Sequence, residues 1–164
     1  MLEVTGNLFT YNPIETQLTP NNMEELLNFK PSSKILRCVT TNGIVKTNGD
    51  LVMGSGIAKE AKRWFRELPH ILGDVVDSRG NHAYIIEKYG IASFPTKHHW
   101  KNNSDPNLIA RSCREILHFG KKWEYILLPR VGCNNGGLGW EQVKPILLTY
   151  FQNDKFIVVH SYKK

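Results

Sequence analysis

The chain has 164 residues, of which 41% are hydrophobic, and contains three cysteines. This length suits one domain that buries about 70% of the surface of its unfolded chain, so we expect a single domain over residues 1–164. No apolar run approaches the ~18 residues that span a bilayer, and the first residues lack an export signal. The odd number of cysteines, without a C-x-x-C spacing, favours free thiols in a reducing compartment. We therefore expect a cytoplasmic monomer with no membrane contact.

The charge of the chain narrows the class of ligand. The formal net charge is +6 and the pI is about 9.3. A basic protein attracts polyanions and concentrates phosphate-bearing molecules near its surface. This balance favours a phosphate-containing ligand, with nucleic acid as a candidate partner.

Apolar runs of strand length alternate with helical patterns along the chain. Strands are predicted at Leu2–Val4, Ile35–Thr41, Ala83–Lys88, Ile91–Phe94, Tyr125–Val131 and Phe156–His160. Apolar residues recur at helical spacing from Ile57 to Leu68, from Leu108 to Phe119 and from Val143 to Phe151. Pro145 favours a start of the regular last helix near residues 142–144, with Trp140 and Glu141 still in the preceding loop or in a preliminary turn. A further short helix, Asn22–Asn28, is predicted within a polar connection over residues 13–33.

The last two strands are almost continuously apolar, as strands are when helices cover both faces of a sheet. The predicted fold class is therefore α/β, a three-layer α/β/α sandwich around a mixed, mostly parallel sheet of about six strands.

Two glycine-rich loops, each followed by a helical pattern, are the strongest functional signal. The first, MGSGIAK, begins at Met53, and the second, GCNNGGLGW, begins at Gly132. Without Cβ atoms, backbone N–H groups can crowd against an anion, and the following helix directs its positive N-terminal end to the same point. Two such loops can hold a diphosphate.

Two common glycine motifs do not fit these loops. A P-loop requires a lysine directly after its last glycine, and Ser55 stands at that position after Gly54. The dinucleotide fingerprint G-x-G-x-x-G requires a third glycine, where the chain has Lys59. A nucleoside triphosphatase and a nicotinamide-dependent oxidoreductase are therefore disfavoured.

The order of strands, loops and helices resembles the macrodomain family, whose members bind ADP-ribose. The segments MGSGIAKEA and LPRVGCNNGGLGWEQVKPIL look like the two phosphate loops of that family. The second is similar to the form found in glutamate-ADP-ribose hydrolases and in antitoxin macrodomains that reverse DNA ADP-ribosylation. The segment SFPTKHHW, which begins at Ser93, is similar to the antitoxin group. The resemblance extends from TGNLF near the N-terminus to the last strand.

The resemblance implies a set of ligand-binding residues in the two loops. They are Gly54, Ser55, Gly56 and Ile57 in the first loop, and Gly132, Cys133, Asn134, Asn135, Gly136, Gly137 and Leu138 in the second. The alternative interpretation is that the glycines serve only as turn and helix-cap residues. Cys133 has no evident base beside it and is interpreted as a small loop residue.

The resemblance also implies that two asparagines contact the two ends of ADP-ribose. Asn7 stands where the family usually has an aspartate that accepts a hydrogen bond from adenine, and its amide oxygen retains that ability without the charge. Asn42 matches an asparagine that approaches the distal ribose. Its alternative role is that of a turn residue before Gly43.

Lys97 resembles the lysine that hydrolytic antitoxin-type macrodomains place beside the anomeric carbon of the distal ribose. A lysine there can activate a nucleophile or leaving group, or stabilise charge. Gly136 replaces an aspartate of the glutamate-ADP-ribose hydrolases, so this loop supplies no acid. His98 and His99 lack further ligands at zinc-site spacing, so we expect neither a metal nor a cofactor.

The resemblance therefore implies an ADP-ribosyl hydrolase with Lys97 and Asn42 at the reacting end. Its substrate is an ADP-ribosylated macromolecule, with nucleic acid slightly favoured, or a small ADP-ribose derivative. Two alternatives stay open at this point. One is a reader that binds ADP-ribose without hydrolysis, and the other is an ADP-ribose 1″-phosphate phosphatase.

Overall fold

The computed structural model describes residues 1–14 and 34–161, and the predicted helix Asn22–Asn28 lies outside the described residues. Six strands form one sheet: β1 (Leu2–Thr5), β2 (Ile35–Thr41), β3 (Ile85–Ile86), β4 (Ile91–Pro95), β5 (Tyr125–Leu128) and β6 (Phe156–His160). Their order is β1-β6-β5-β2-β4-β3, and every neighbouring pair is parallel except β3 with β4. The predicted mixed, mostly parallel sheet is confirmed.

Two strands are shorter than the sequence predicts. The predicted strand Ala83–Lys88 keeps only two residues, because a short 3-10 helix occupies Glu87–Tyr89 and ends at Gly90 with a φ of 61°. The strand predicted to reach Val131 stops at Leu128, since Pro129 has no N–H to continue the ladder.

Four helices are described: α1 (Gly56–Trp64), α2 (Leu68–Arg79), α3 (Pro106–Phe119) and α4 (Trp140–Tyr150). The single helical face predicted from Ile57 to Leu68 is wrong, because the backbone turns extended at Phe65 and Pro69 opens a second helix. The predicted start of the last helix near residues 142–144 is also wrong. The Gly139 carbonyl accepts the N–H groups of Gln142 and Val143, so a first turn closes before Pro145 is reached.

Alternate residues of β2 divide the core into two layers. Ile35 and Val39 pack with α1 and α2 on one face of the sheet, whereas Leu36 and Cys38 pack with α3 and α4 on the other. The predicted three-layer sandwich is thereby confirmed. Arg37 is buried on β2, and its guanidinium donates from Nε to the Leu8 carbonyl and from Nη2 to the Tyr11 carbonyl. Burial lowers the Arg37 pKa to about 10, so the residue stays charged and fixes the N-terminal segment to the sheet.

Candidate functional site

A cleft opens where the connections after β2 and β5 leave the sheet on opposite faces. These strands are neighbours, yet the chain passes from β2 to α1 on one face and from β5 to α4 on the other. Ligands of open parallel sheets bind at such a switch point, outside the carboxyl ends of the strands. The topology therefore locates the candidate site independently of any motif.

The cleft has a volume of about 1080 Å³ and brings together nearly all of the predicted site residues. Those in its lining are Asn7, Asn42, Gly54, Ser55, Gly56, Ile57, Lys97, Gly132, Cys133, Asn134, Asn135, Gly136 and Leu138. Gly137 is the predicted residue that stands outside the lining. Its φ is +78°, and an added Cβ would come 2.7 Å from Oδ1 of Asn103, so its glycine is explained by local geometry.

The first glycine loop, residues 53–57, leads directly into α1. Ser55 is the N-cap residue, but its side chain makes no capping hydrogen bond. Within the described part of the chain, the first-turn N–H groups of Gly56 and Ile57 have no hydrogen-bond partner. Unsatisfied first-turn donors at a helix N-terminus suit an anion. This loop therefore presents two N–H donors of a kind that suits an anion.

The second glycine loop, residues 132–138, is fixed by its own hydrogen bonds. The N–H of Leu138 donates to the Gly132 carbonyl, and the N–H of Gly136 donates to that of Cys133. The N–H groups of Asn134 and Asn135 donate to no residue among those described. The loops face each other, because a Cβ on Gly56 would lie 3.6 Å from Nδ2 of Asn135.

Lys97 connects the second glycine loop to the segment after β4, residues 96–105, which we call the lysine loop. Its Nζ donates to the Asn135 carbonyl at 3.0 Å and to the Trp100 carbonyl at 3.3 Å. The backbone N–H of Lys97 lies 3.4 Å from the Thr41 carbonyl, which also accepts the N–H of Thr96 at 3.0 Å. An ammonium has three N–H donors, so one remains for a ligand.

The two predicted asparagines both use their side chains to shape turns. Oδ1 of Asn7 accepts the N–H of Phe9 at 2.8 Å. Oδ1 of Asn42 accepts the N–H of Ile44 at 2.9 Å, and its Nδ2 donates to the Val52 carbonyl at 3.0 Å. These two bonds fix the connection that leads to the first glycine loop, so Asn42 acts as a turn residue. Asn42 also lines the cleft.

The absence of a side chain at Gly136 has a steric cause. A Cβ on Gly136 would overlap Oγ of Ser104, whose N–H donates to the Gly136 carbonyl at 2.8 Å. Ser104 is 5% exposed and lines the cleft, and its Oγ has no hydrogen-bond partner among the described residues. The space beside this part of the loop is therefore occupied by a serine hydroxyl from the lysine loop. Sequence reasoning missed Ser104, since a serine in a polar connection carries no distinguishing pattern.

A polar cluster at another part of the lining was also missed. The Arg130 guanidinium lies 5.2 Å from the ring centre of Trp140, and Trp140 Nε1 donates to Glu3 at 2.9 Å. Lys144 bonds the same carboxylate at 2.6 Å and is the main cause of its lowered pKa. Glu60 on α1 also faces the cleft and supplies its single carboxylate within the described ranges. These residues come from distant parts of the chain, so only the fold reveals their proximity.

The cysteine and histidines near the cleft are accounted for by local contacts. Burial raises the pKa of the Cys133 thiol, so this group stays protonated at neutral pH and is a poor nucleophile. His98 hydrogen-bonds to Asp105 at 2.8 Å, which is the main reason that the Asp105 pKa is lowered. Over residues 1–14 and 34–161, no three His, Cys, Asp or Glu side chains are grouped as a metal site would require. None of the helices in the same ranges has the length and apolar character needed to cross a membrane.

Comparison with known proteins finds relatives in sequence and in structure, although no family model matches the chain. The chain is 28% identical over 133 residues to the DNA ADP-ribosyl glycohydrolase of Mycobacterium bovis, a match that covers 74% of this chain and 38% of that protein. The macrodomain of Thermus aquaticus DarG superimposes with a TM-score of 0.69 at 22% identity, covering 99% of this chain and 97% of that one. Thermosipho africanus DarTG in complex with ADP-ribose gives a TM-score of 0.66 at 23% identity, over 80% of this chain and 39% of that chain.

The structural likenesses show the fold, and the sequence match supports relationship to the glycohydrolase. The chain spans between 15% and 38% of the length of the curated relatives it matches. Those relatives therefore contain further regions that this chain does not match.

Proposed function

We propose that this chain is a macrodomain, that its cleft binds ADP-ribose and that the protein removes ADP-ribose from ADP-ribosylated DNA. The observation that carries the proposal is the meeting of two N–H-rich loops and the Lys97 ammonium in one cleft. The name of the mycobacterial relative and the ADP-ribose bound to the Thermosipho protein point to the same chemistry.

The diphosphate would be bound by the two glycine loops. The N–H groups of Gly56 and Ile57 approach from one side, and those of Asn134 and Asn135 from the other. Hydrogen bonds from backbone N–H groups to a charged acceptor are worth about 1.5–3 kcal/mol each. Asn7 then lies toward the adenine, and Asn42 and Lys97 toward the distal ribose.

Lys97 acts on the bond between the distal ribose and the DNA. Hydrolysis forms a bond from a water oxygen to the anomeric carbon and breaks the bond from that carbon to the modified base, which takes up a proton. The Lys97 ammonium stabilises the negative charge that develops on the departing base. The second glycine loop contains no Asp or Glu, so it contributes no carboxylate to this step.

Three features favour DNA over a glutamate-modified protein or a small phosphate derivative. Gly136 replaces the acid of the protein-directed hydrolases, the lysine-loop sequence is similar to that of the DNA-directed group, and the net charge of +6 attracts a polyanion. Exposed basic side chains, including Arg63 on α1, Arg66 just after it and Lys101 on the lysine loop, are available to backbone phosphates.

Calorimetry with ADP-ribose and AMP tests the binding part of the proposal. AMP lacks the second phosphate and the distal ribose, so we expect it to bind at least about tenfold more weakly, the equivalent of one charge-assisted hydrogen bond. Equal affinity for both ligands, or no binding of ADP-ribose, would contradict a cleft that holds a diphosphate between two loops.

A further inference from the structure

The indole ring of Trp100 lies at the cleft and does not pack in the hydrophobic core. The residue is 49% exposed and lines the cleft. Trp is enriched at binding interfaces, because its ring supplies a large apolar contact area and its N–H a polar handle. The contacts recorded for the ring are with its loop neighbours His99 and Lys101.

The backbone of Trp100 is fixed directly against the lysine that we place at the reacting bond. Nζ of Lys97 donates to the Trp100 carbonyl at 3.3 Å and to the Asn135 carbonyl at 3.0 Å. Trp100 therefore bears both the indole ring and the carbonyl that accepts a hydrogen bond from the Lys97 ammonium. Lys97 and Trp100 both line the cleft, so a group attached to an anomeric carbon beside Lys97 lies within reach of the indole.

The surroundings of the indole match the needs of a single nucleic-acid strand. Nζ of Lys101 lies 5.3 Å from the centre of the Trp100 ring, and the His99 ring lies 5.3 Å away at 35°. Proteins that bind single strands combine aromatic platforms, on which bases stack, with cations that follow the phosphates. A lysine beside an exposed indole supplies both.

The geometry points to Trp100 as a stacking platform for the base that carries the ADP-ribose, with Lys101 contacting a neighbouring phosphate of a single-stranded DNA. This inference rests on the proposed function and goes beyond it, because it assigns recognition of the DNA to a residue that does not hold the ADP-ribose.

The test compares Trp100→Ala and Trp100→Phe with the wild type. For an ADP-ribosylated single-stranded oligonucleotide, we expect Trp100→Ala to lower kcat/KM by about 5- to 150-fold, the range for loss of one stacked base, mainly through a higher KM. Trp100→Phe, which keeps an aromatic face, should retain most of the activity. The affinity for free ADP-ribose should be unchanged in both variants.

Phe119→Ala provides a matched control. Phe119 is 56% exposed and stands beside His118, as Trp100 stands beside His99, but it lines a different cavity. The control should behave as the wild type. Fluorescence supplies a readout independent of turnover, since oligonucleotide binding should quench the Trp100 part of the tryptophan emission, and this quenching should be lost in Trp100→Phe, which keeps Trp64, Trp123 and Trp140.

Unchanged kcat/KM in Trp100→Ala would overturn the stacking role, as would an equal loss of affinity for free ADP-ribose, which would assign Trp100 to the ADP-ribose itself. Either outcome leaves the proposed function in place. Failure of the wild type to bind ADP-ribose would instead contradict the proposed function.

Discussion

Replacing Lys97 with alanine is expected to lower turnover of an ADP-ribosylated substrate by about 10²–10⁴-fold, the contribution of a positioned group that acts on charge or protons in the transition state. Binding of free ADP-ribose should be retained, because we propose that backbone N–H groups of the two glycine loops, and not Lys97, hold the diphosphate. Product release from a labelled ADP-ribosyl oligonucleotide measures the first effect, and calorimetry measures the second.

Lys88→Ala is the control for Lys97→Ala. Both variants remove one lysine ammonium, but Nζ of Lys97 bonds to the second glycine loop, whereas that of Lys88 lies over the Tyr89 ring, outside the cleft lining. Because Lys97→Ala also removes two hydrogen bonds to backbone carbonyls, the melting temperature of each variant must be measured. Full turnover by Lys97→Ala would exclude the residue from the reaction. A loss of turnover matched by an equal loss of ADP-ribose affinity would make it a binding residue.

Gly56→Leu is expected to weaken ADP-ribose binding by roughly 10- to 150-fold for each charge-assisted hydrogen bond that is lost. Gly56 lines the cleft, and a Cβ there would extend toward Nδ2 of Asn135, into the gap between the loops. A side chain in that gap would separate the phosphate from the N–H groups. Calorimetry with ADP-ribose measures the loss.

Gly49→Leu separates the steric effect from backbone strain. Gly56 and Gly49 both have a positive φ, +59° and +91°, but Gly49 has open space around its Cβ position and stands outside the cleft lining. A left-handed conformation costs a non-glycine residue about 1–2 kcal/mol, so both variants should lose similar stability. Only Gly56→Leu should lose ligand. If both variants bind ADP-ribose as the wild type does, the first glycine loop does not hold the phosphate.

The sequence predicts the layers of this fold well because burial has a clear periodicity. The strand bounds of β2 and β6 match the prediction, since both are runs of apolar and β-branched residues closed by polar segments. The break between α1 and α2 is not evident from the sequence, because Leu68 continues the apolar spacing of α1 although the helix ends before Phe65. The start of α4 is decided by the Gly139 carbonyl, a backbone contact that no side-chain pattern records.

The residues of the candidate site also fall into two groups, those that the sequence predicts and those that only the fold brings together. The glycine loops can be predicted because their function depends on local backbone freedom, which glycine reveals directly. Ser104 and Arg130 cannot, since their importance depends on proximity to loops or side chains from other parts of the chain. Asn42 lies between these cases, because its turn contacts are local and its position in the cleft is set by β2.

Side-by-side hydrolysis of three substrates tests the central claim most directly: an ADP-ribosylated single-stranded oligonucleotide, a glutamate-ADP-ribosylated peptide and ADP-ribose 1″-phosphate. We expect release of ADP-ribose from the oligonucleotide at the highest kcat/KM. Its dependence on salt should be steep, with a slope near −0.7 per phosphate contacted on a single strand, whereas small substrates should show a shallow dependence. Hydrolysis of the peptide or the phosphate derivative alone would contradict a DNA substrate. Binding of ADP-ribose without hydrolysis of any of the three would make the protein a reader.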